Sequence, residues 1–169
     1  DLPFIGTFHS FCLRLLKEHS DLLDKPFISI LDADDQKKML HAILHRNKLH
    51  KQIAPSHASY HISHMKNKQA MALITQAIKA GKKWTILAAE QFETPLMPDI
   101  FLAYEKEKEE SKSLDFDDLL LETVRLFKTN KTFKKAFQEK IKHVLIDEYQ
   151  DTNVVQHELL KEMSRSGKK

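Results

Sequence analysis

Glycine is scarce in this chain: Gly6, Gly81 and Gly167 are the only three in 169 residues. So few cannot supply a Gly-x-x-x-x-Gly-Lys-[Ser/Thr] phosphate loop or a Gly-x-Gly-x-x-Gly dinucleotide turn anywhere in the sequence. A self-sufficient nucleotide-binding enzyme of either of these common kinds is therefore ruled out. Five prolines add little punctuation, which argues against a fold of many short strands joined by Gly/Pro turns. The single cysteine, Cys12, leaves no internal disulfide and no cysteine-based zinc site, and fits a reducing, cytoplasmic setting. No apolar run approaches the roughly 20 residues of a membrane-spanning helix. The opening residues, Asp1 to Phe8, lack the basic leader and small-residue cleavage site of a signal peptide; they read as a chain entered partway along a strand.

What is present describes a helix-leaning globular chain, 41% hydrophobic and 30% charged, long enough for one domain or a compact pair. The net charge of +3 is small, but its distribution is not even. From Gln36 to Ala89 there is no Asp or Glu, while Lys37, Lys38, Arg46, Lys48, Lys51, Lys66, Lys68, Lys79, Lys82 and Lys83 supply ten basic groups among six histidines. From Glu90 to Glu122 the sign reverses, with eleven acids against Lys106, Lys108 and Lys112. Such segregation points to one surface that faces a polyanion and another that does not.

Periodicity predicts a strand at Phe4–Phe8, a helix at His9–Leu23, an extended stretch at Phe27–Leu31, and a helix capped by Asp32 that fades near Asn47. Further helices are expected from Pro55–Ser56, over Ala70–Ala80 with Gly81 as a left-handed stop, and from Pro95–Pro98 into the Glu105–Lys112 run, read as a solvated face. Leu114 begins another helix, with Asp115, Asp117 and Asp118 serving its dipole rather than a metal, and a short one covers Thr132 to about Lys140. His41 and His45, like His57, His61 and His64, have helical spacing that could place imidazoles together for a metal, but with no carboxylate nearby they read as surface residues. Cys12, beside Phe11 and Leu15, reads as a small buried hydrophobe. Asn153 is the expected cap of a last helix that frays into the basic tail, residues 164–169.

His143-Val144-Leu145-Ile146 is a compact apolar run that stops at Asp147-Glu148, the pattern of a buried parallel strand with carboxylates at its carboxyl end. In doubly wound sheets ligands bind beyond that end. There an Asp can hold magnesium and an adjacent Glu can orient or deprotonate an attacking water.

The whole string Asp147-Glu148-Tyr149-Gln150-Asp151-Thr152-Asn153 resembles the Walker B element, motif II, of the UvrD/Rep/PcrA-like superfamily 1 DNA helicases. Thr7-Phe8-His9-Ser10 with Phe11-Cys12 is similar to motif Ib, and Leu114-Asp115-Phe116-Asp117-Asp118-Leu119 to the helix ahead of motif II. Weaker likenesses lie at Ser29–Asp32 with Asp35-Gln36, and at Ile62-Ser63 with Lys66-Asn67. The resemblance implies a mainly α fold, a helical insertion subdomain (1B, residues 27–113) flanked by pieces of an α/β RecA-like motor domain (1A, residues 1–26 and 114–169) with two or three short strands.

By the same resemblance Asp147 is the magnesium-associated acid, Glu148 the catalytic carboxylate and Gln150 a neighbour of the ATP site. Thr7 and His9 would touch the backbone of single-stranded DNA and Lys66 is the best candidate for a phosphate contact, while Phe8 could stack on a DNA base or simply fill the inner face of its strand. The acid-free belt, apart from the resemblance, makes Lys37, Lys38, Arg46 and Lys68 further candidates for touching DNA. The implied whole is a helicase that uses ATP and magnesium to translocate on single-stranded DNA and unwind forked duplex, in DNA repair or replication. The Walker A loop, motif Ia and everything beyond motif II are absent, so the partner most needed is the remainder of the same polypeptide. This piece is expected to bind no cofactor and turn over no ATP by itself. The rival from another class is a stand-alone basic helical module that binds nucleic acid or protein without ATPase chemistry; it accounts for the belt but not for the 147–153 string.

Overall fold

Side-chain caps at Thr7, Asp32, Asn130 and Asn153 open four of the described helices. In the computed structural model, which describes residues 3–164, Thr7 caps α1 (Phe8–Glu18), its Oγ1 accepting from the Ser10 amide at 3.1 Å. A 3-10 turn at Ser20–Leu22 follows, then β1 (Ser29–Leu31). Asp32 caps α2 (Ala33–Arg46) by accepting from the Asp35 amide at 2.8 Å, and Asp34 and Asp35 occupy its first turn, where the helix dipole favours acids. Next come α3 (Pro55–Lys68), α4 (Ala70–Ala80), α5 (Trp84–Ala89) and α6 (Met97–Glu110). Then β2 (Ser113–Asp115), α7 (Phe116–Thr129), α8 (Lys131–Lys140) and α9 (Val154–Met163) complete the described chain. Gly81 ends α4 at φ 64°, a left-handed stop that glycine takes without a side-chain clash. No helix among the described residues is long and apolar enough to cross a membrane.

The chain divides into two compact units. One comprises residues 25–117; the other comprises residues 1–24 together with 118–169. In the first, β1 and β2 pair in parallel, Ser29 opposite Ser113 and Leu31 opposite Asp115, with Ser29 and Ser113 hydroxyls 2.8 Å apart. Helices α2 to α6 intervene between the two strands, as a parallel pair demands of its crossover. Their core is apolar: Leu40, Ile43 and Leu44 of α2, Ile62 of α3, Ile74 of α4, and Ile100, Phe101 and Tyr104 of α6 are almost fully buried.

In the second unit, Cys12 and Leu16 of α1 and Val124 and Phe127 of α7 are buried with Leu159 of α9. Phe127 packs against Phe133 and Phe137 with ring centres 5.1 and 5.0 Å apart. Asn130 starts α8 by accepting from the Phe133 amide at 2.9 Å. Lys128 on α7 and Lys134 on α8 converge on Glu162 of α9 at 3.1 and 2.7 Å. Burial would raise the Glu162 carboxyl, but hydrogen bonds from Lys134 and Lys128 outweigh it and hold the group below its ordinary value of 4.5.

The architecture is mainly helical with two short strands, as expected; β1 falls within the extended Phe27–Leu31 stretch, but two other expected strands do not form. Phe4–Phe8 is not a strand: Thr7 caps a helix that already begins at Phe8, and Ile5 is 90% exposed. His143–Ile146 has no regular structure either, and Leu145 is 95% exposed. A strand is stable only when a neighbour satisfies its backbone groups, and among the described residues β1 and β2 pair only with each other. The helix expected at Leu114 starts two residues later because Ser113–Asp115 is held in β2. At α3, Ala54 occupies the cap position with no side-chain bond and Pro55 is the first helical residue. The tail beyond residue 164, expected to fray, lies outside the described residues.

Candidate functional site

The 147–153 string forms a hydrogen-bonded turn at the head of α9. Asp147 Oδ1 accepts from the Glu148 amide at 3.0 Å. Glu148 then takes a left-handed backbone, φ 49° and ψ 45°, and leads into a 3-10 turn at Tyr149–Asp151. The Asp151 amide donates to the Glu148 carbonyl at 2.9 Å, and the Thr152 hydroxyl donates to the Tyr149 carbonyl at 2.9 Å. Asn153 closes the turn with a capping box: its Oδ1 accepts from the Gln156 amide at 2.9 Å while Gln156 Oε1 accepts from the Asn153 amide at 3.2 Å.

A left-handed conformation is uncommon for a non-glycine residue and costs about 1–2 kcal/mol. Asp147, Glu148 and Gln150 are all exposed. Tyr149 completes the arrangement through a 2.9 Å hydrogen bond between its hydroxyl and Nδ1 of His157 on α9.

The donor set at this turn fits magnesium. Asp147 and Glu148 present hard carboxylate oxygens, and a magnesium ion at a nucleotide is held by one or two carboxylates with waters and phosphate oxygens filling the rest. No group of three or more His, Cys, Asp or Glu among the described residues is placed to hold a metal, so a closed, all-protein cage does not occur there.

Thr7, Phe8 and His9 lie at the start of α1. Thr7 is exposed and spends its hydroxyl on the cap, accepting from the Ser10 amide; Phe8 and His9 are half-buried. Among the belt residues, Lys37, Lys38, Lys48, Lys51, Lys68, Lys79, Lys82 and Lys83 are exposed. Arg46 is also exposed, but its Nη2 is bound to Glu107 Oε2 at 3.0 Å.

Lys66 requires a correction. Expected to reach a phosphate, it is fully buried, with Nζ 2.8 Å from Glu105 Oε1 and 2.9 Å from Asp115 Oδ2. Lys108 joins the same cluster at 2.8 Å from Glu105 Oε2, and the Tyr104 hydroxyl donates to Asp115 Oδ2 at 2.8 Å. Lys66 and Lys108 thus pair with Glu105 and Asp115 inside the 25–117 unit. Burial would raise Glu105, but the charges of Lys108 and Lys66 prevail and hold its carboxyl low. The cluster also corrects two other expectations. Asp115 ends β2 as a buried ion-pair acceptor and does not serve a helix dipole, and the Glu105–Lys112 run is solvated only in part. Asp117 accepts from Asn67 Nδ2 at 3.0 Å.

The histidines form ring ladders. His45 lies 4.3 Å from His41 and 4.1 Å from His50, centre to centre, and His57 lies 4.6 Å from His61. Desolvation, then repulsion from His50 and His41, keeps His45 below its ordinary 6.5; desolvation, then His57 and His64, does the same to His61.

Two features had no expectation attached to them. The buried cluster carried one faint signal, a lone Asp115 between Leu114 and Phe116. The Tyr149–His157 contact carried none, because its partners meet only once the turn and α9 have formed.

Residues 1–169 match the family described as the UvrD/REP helicase N-terminal domain. The chain is 33% identical over 164 residues to the ATP-dependent DNA helicase PcrA of Bacillus subtilis (strain 168), with 95% of this chain covered. It is 30% identical over 164 residues to the protein of the same name from Staphylococcus aureus (strain Mu50 / ATCC 700699), again over 95% of this chain. It spans 21% of the length of each of these relatives. A family match over the full chain, together with these relatives, leads to one assignment: the chain belongs to the UvrD/REP helicase N-terminal domain family.

Proposed function

We propose that this chain is part of an ATP-dependent DNA helicase that moves along single-stranded DNA and separates duplex by hydrolysing ATP. The observation that carries the reading is the 147–153 turn, where two exposed acids are delivered side by side and Glu148 is held in a left-handed backbone. Asp147 associates with magnesium, which when bound would neutralise phosphate charge. Glu148 orients the attacking water and takes its proton, a role that requires reach to that water rather than burial. Gln150 lies two residues on, at the edge of the same site.

In this reading residues 27–113 are the insertion subdomain and residues 1–26 and 114–169 are pieces of the first motor domain; a compact unit at residues 25–117 supports the division. Thr7, Phe8 and His9 contact the single strand. The exposed lysines of the acid-free stretch, Lys37, Lys38 and Lys68 among them, attract the polyanion without reading its sequence. Arg46 shares its charge with Glu107 while it remains exposed, and Lys66 is withdrawn from the DNA-facing set by its burial. Because the sequence has no phosphate loop, the isolated chain should not hydrolyse ATP.

The deciding experiment is Glu148→Gln in the full-length protein, assayed for ATP hydrolysis and for single-stranded DNA binding. Hydrolysis should fall by ~100-fold or more while DNA affinity stays near wild type. Retained hydrolysis would defeat the assignment of Glu148.

A further inference from the structure

Every residue from Asp147 to Asp151 is exposed, and the hydrogen bonds within the turn are local ones between neighbours. Local bonds shape a turn without fixing where it points. The left-handed backbone at Glu148 is a conformation that persists only when its surroundings hold it. Something beyond the turn must therefore steady it.

Helix α9 can serve as that anchor, because it is tied down along its length. Val155, Leu159 and Met163 are buried. Lys128 bridges Glu158 and Glu162 at 2.8 and 3.1 Å, Lys134 reaches Glu162 at 2.7 Å, and Gln138 Nε2 donates to the Glu162 carbonyl at 3.0 Å. His157 projects from this fixed helix, and its Nδ1 meets the Tyr149 hydroxyl at 2.9 Å with ring centres 6.1 Å apart. Tyr149 directly follows Glu148, so holding its ring restrains the backbone that aims the carboxylate.

We propose that His157 is a positioning residue for Glu148, acting through the Tyr149 hydroxyl to hold the motif II turn against α9. The proposal rests on Glu148 being the hydrolytic carboxylate. His157 touches no substrate in this scheme; it limits the orientations Glu148 samples, and catalytic rate is sensitive to misplacement of a reacting group by as little as about 1 Å.

The test uses the full-length protein with saturating single-stranded DNA. His157→Leu and Tyr149→Phe should each lower kcat for ATP hydrolysis by ~3- to 10-fold, with KM for ATP changed by less than about twofold. The double variant should be no slower than the worse single variant, because both remove one contact. His157→Asn, which carries a polar group near the position of Nδ1, should recover most of the rate. Amide hydrogen exchange at residues 148–152 should quicken in His157→Leu while residues 159–163 keep their protection.

Wild-type kcat in either single variant, multiplicative losses in the double, or a loss confined to KM would overturn the proposal. If His157→Leu fails to fold, Tyr149→Phe, which leaves α9 intact, decides the matter by the same readouts. A failure of the Glu148 assignment looks different: Glu148→Gln would then hydrolyse ATP normally, while exchange at 148–152 would still report whether the contact holds the turn.

Discussion

Replacing Lys66 with methionine would leave a buried charge cluster unbalanced. In the wild type its ammonium lies 2.8 Å from Glu105 and 2.9 Å from Asp115, with Lys108 at 2.8 Å from Glu105 and 3.7 Å from Asp115. Methionine fills nearly the same volume, so the perturbation is the charge, and two carboxylates then share Lys108. Removing one partner of a buried pair costs about 3–5 kcal/mol. Because Lys108 and the Tyr104 hydroxyl remain, the lower end applies, about 3 kcal/mol. Followed by circular dichroism in urea, with a slope of about 1–3 kcal/mol per molar, the midpoint should fall by about 1–3 M. Asp115→Asn alone should also destabilise, since two ammonium groups then face one carboxylate. Combined with Lys66→Met it restores neutrality, and the double variant should be more stable than the sum of the singles by at least about 1.5 kcal/mol. Added salt should change little, because buried pairs are weakly screened. A loss below about 1 kcal/mol for Lys66→Met, or single effects that add within about 0.5 kcal/mol, would show that the cluster is hydrated and that Lys66 is available to other partners.

Burial pushes the Cys12 thiol up to about 12, against a weaker lowering by its hydrogen bond with Thr123. At pH 8 it should therefore resist iodoacetamide in the folded chain and react only in denaturant, as mass spectrometry would show. Glu105 and Glu162 both have folded values held below 4.5. Their stabilising contribution is present above that value and lost as pH falls through the lower folded values, so urea midpoints measured from pH 6 to pH 3 should drop most steeply below about 4.5. Asn153→Ala removes one half of the capping box and should cost about 1 kcal/mol in urea unfolding, with faster amide exchange in the first turn of α9. Unchanged protection there would mean the cap is idle.

Local chemistry was readable from the residues. Asp32, Gly81 and Asn153 mark helix ends because each solves a backbone problem at its own position, by accepting an orphan amide or by taking a left-handed turn. A buried apolar face was readable as well, as Cys12 beside Leu15 shows. The strands did not, since Val144-Leu145-Ile146 has a strand's composition and lacks a partner among the described residues, whereas Ser113-Leu114-Asp115 reads as a helix start and pairs with β1. Strand identity belongs to a pair of segments, and a pattern in one of them is only half of the information.

The candidate site divides the same way. The sequence by itself determined which groups are available: the 147–153 string and its two acids, the acid-free stretch, and the absence of a glycine-rich phosphate loop, since these are matters of residue type and order. Tertiary structure decided what those groups are free to do. It buried Lys66 between Glu105 and Asp115, set Arg46 on Glu107, and brought His157 to Tyr149. The physical reason is that a lysine's charge is the same in any sequence, but its partner is whichever acid folding places within about 3 Å, where Coulomb attraction and desolvation are decided together.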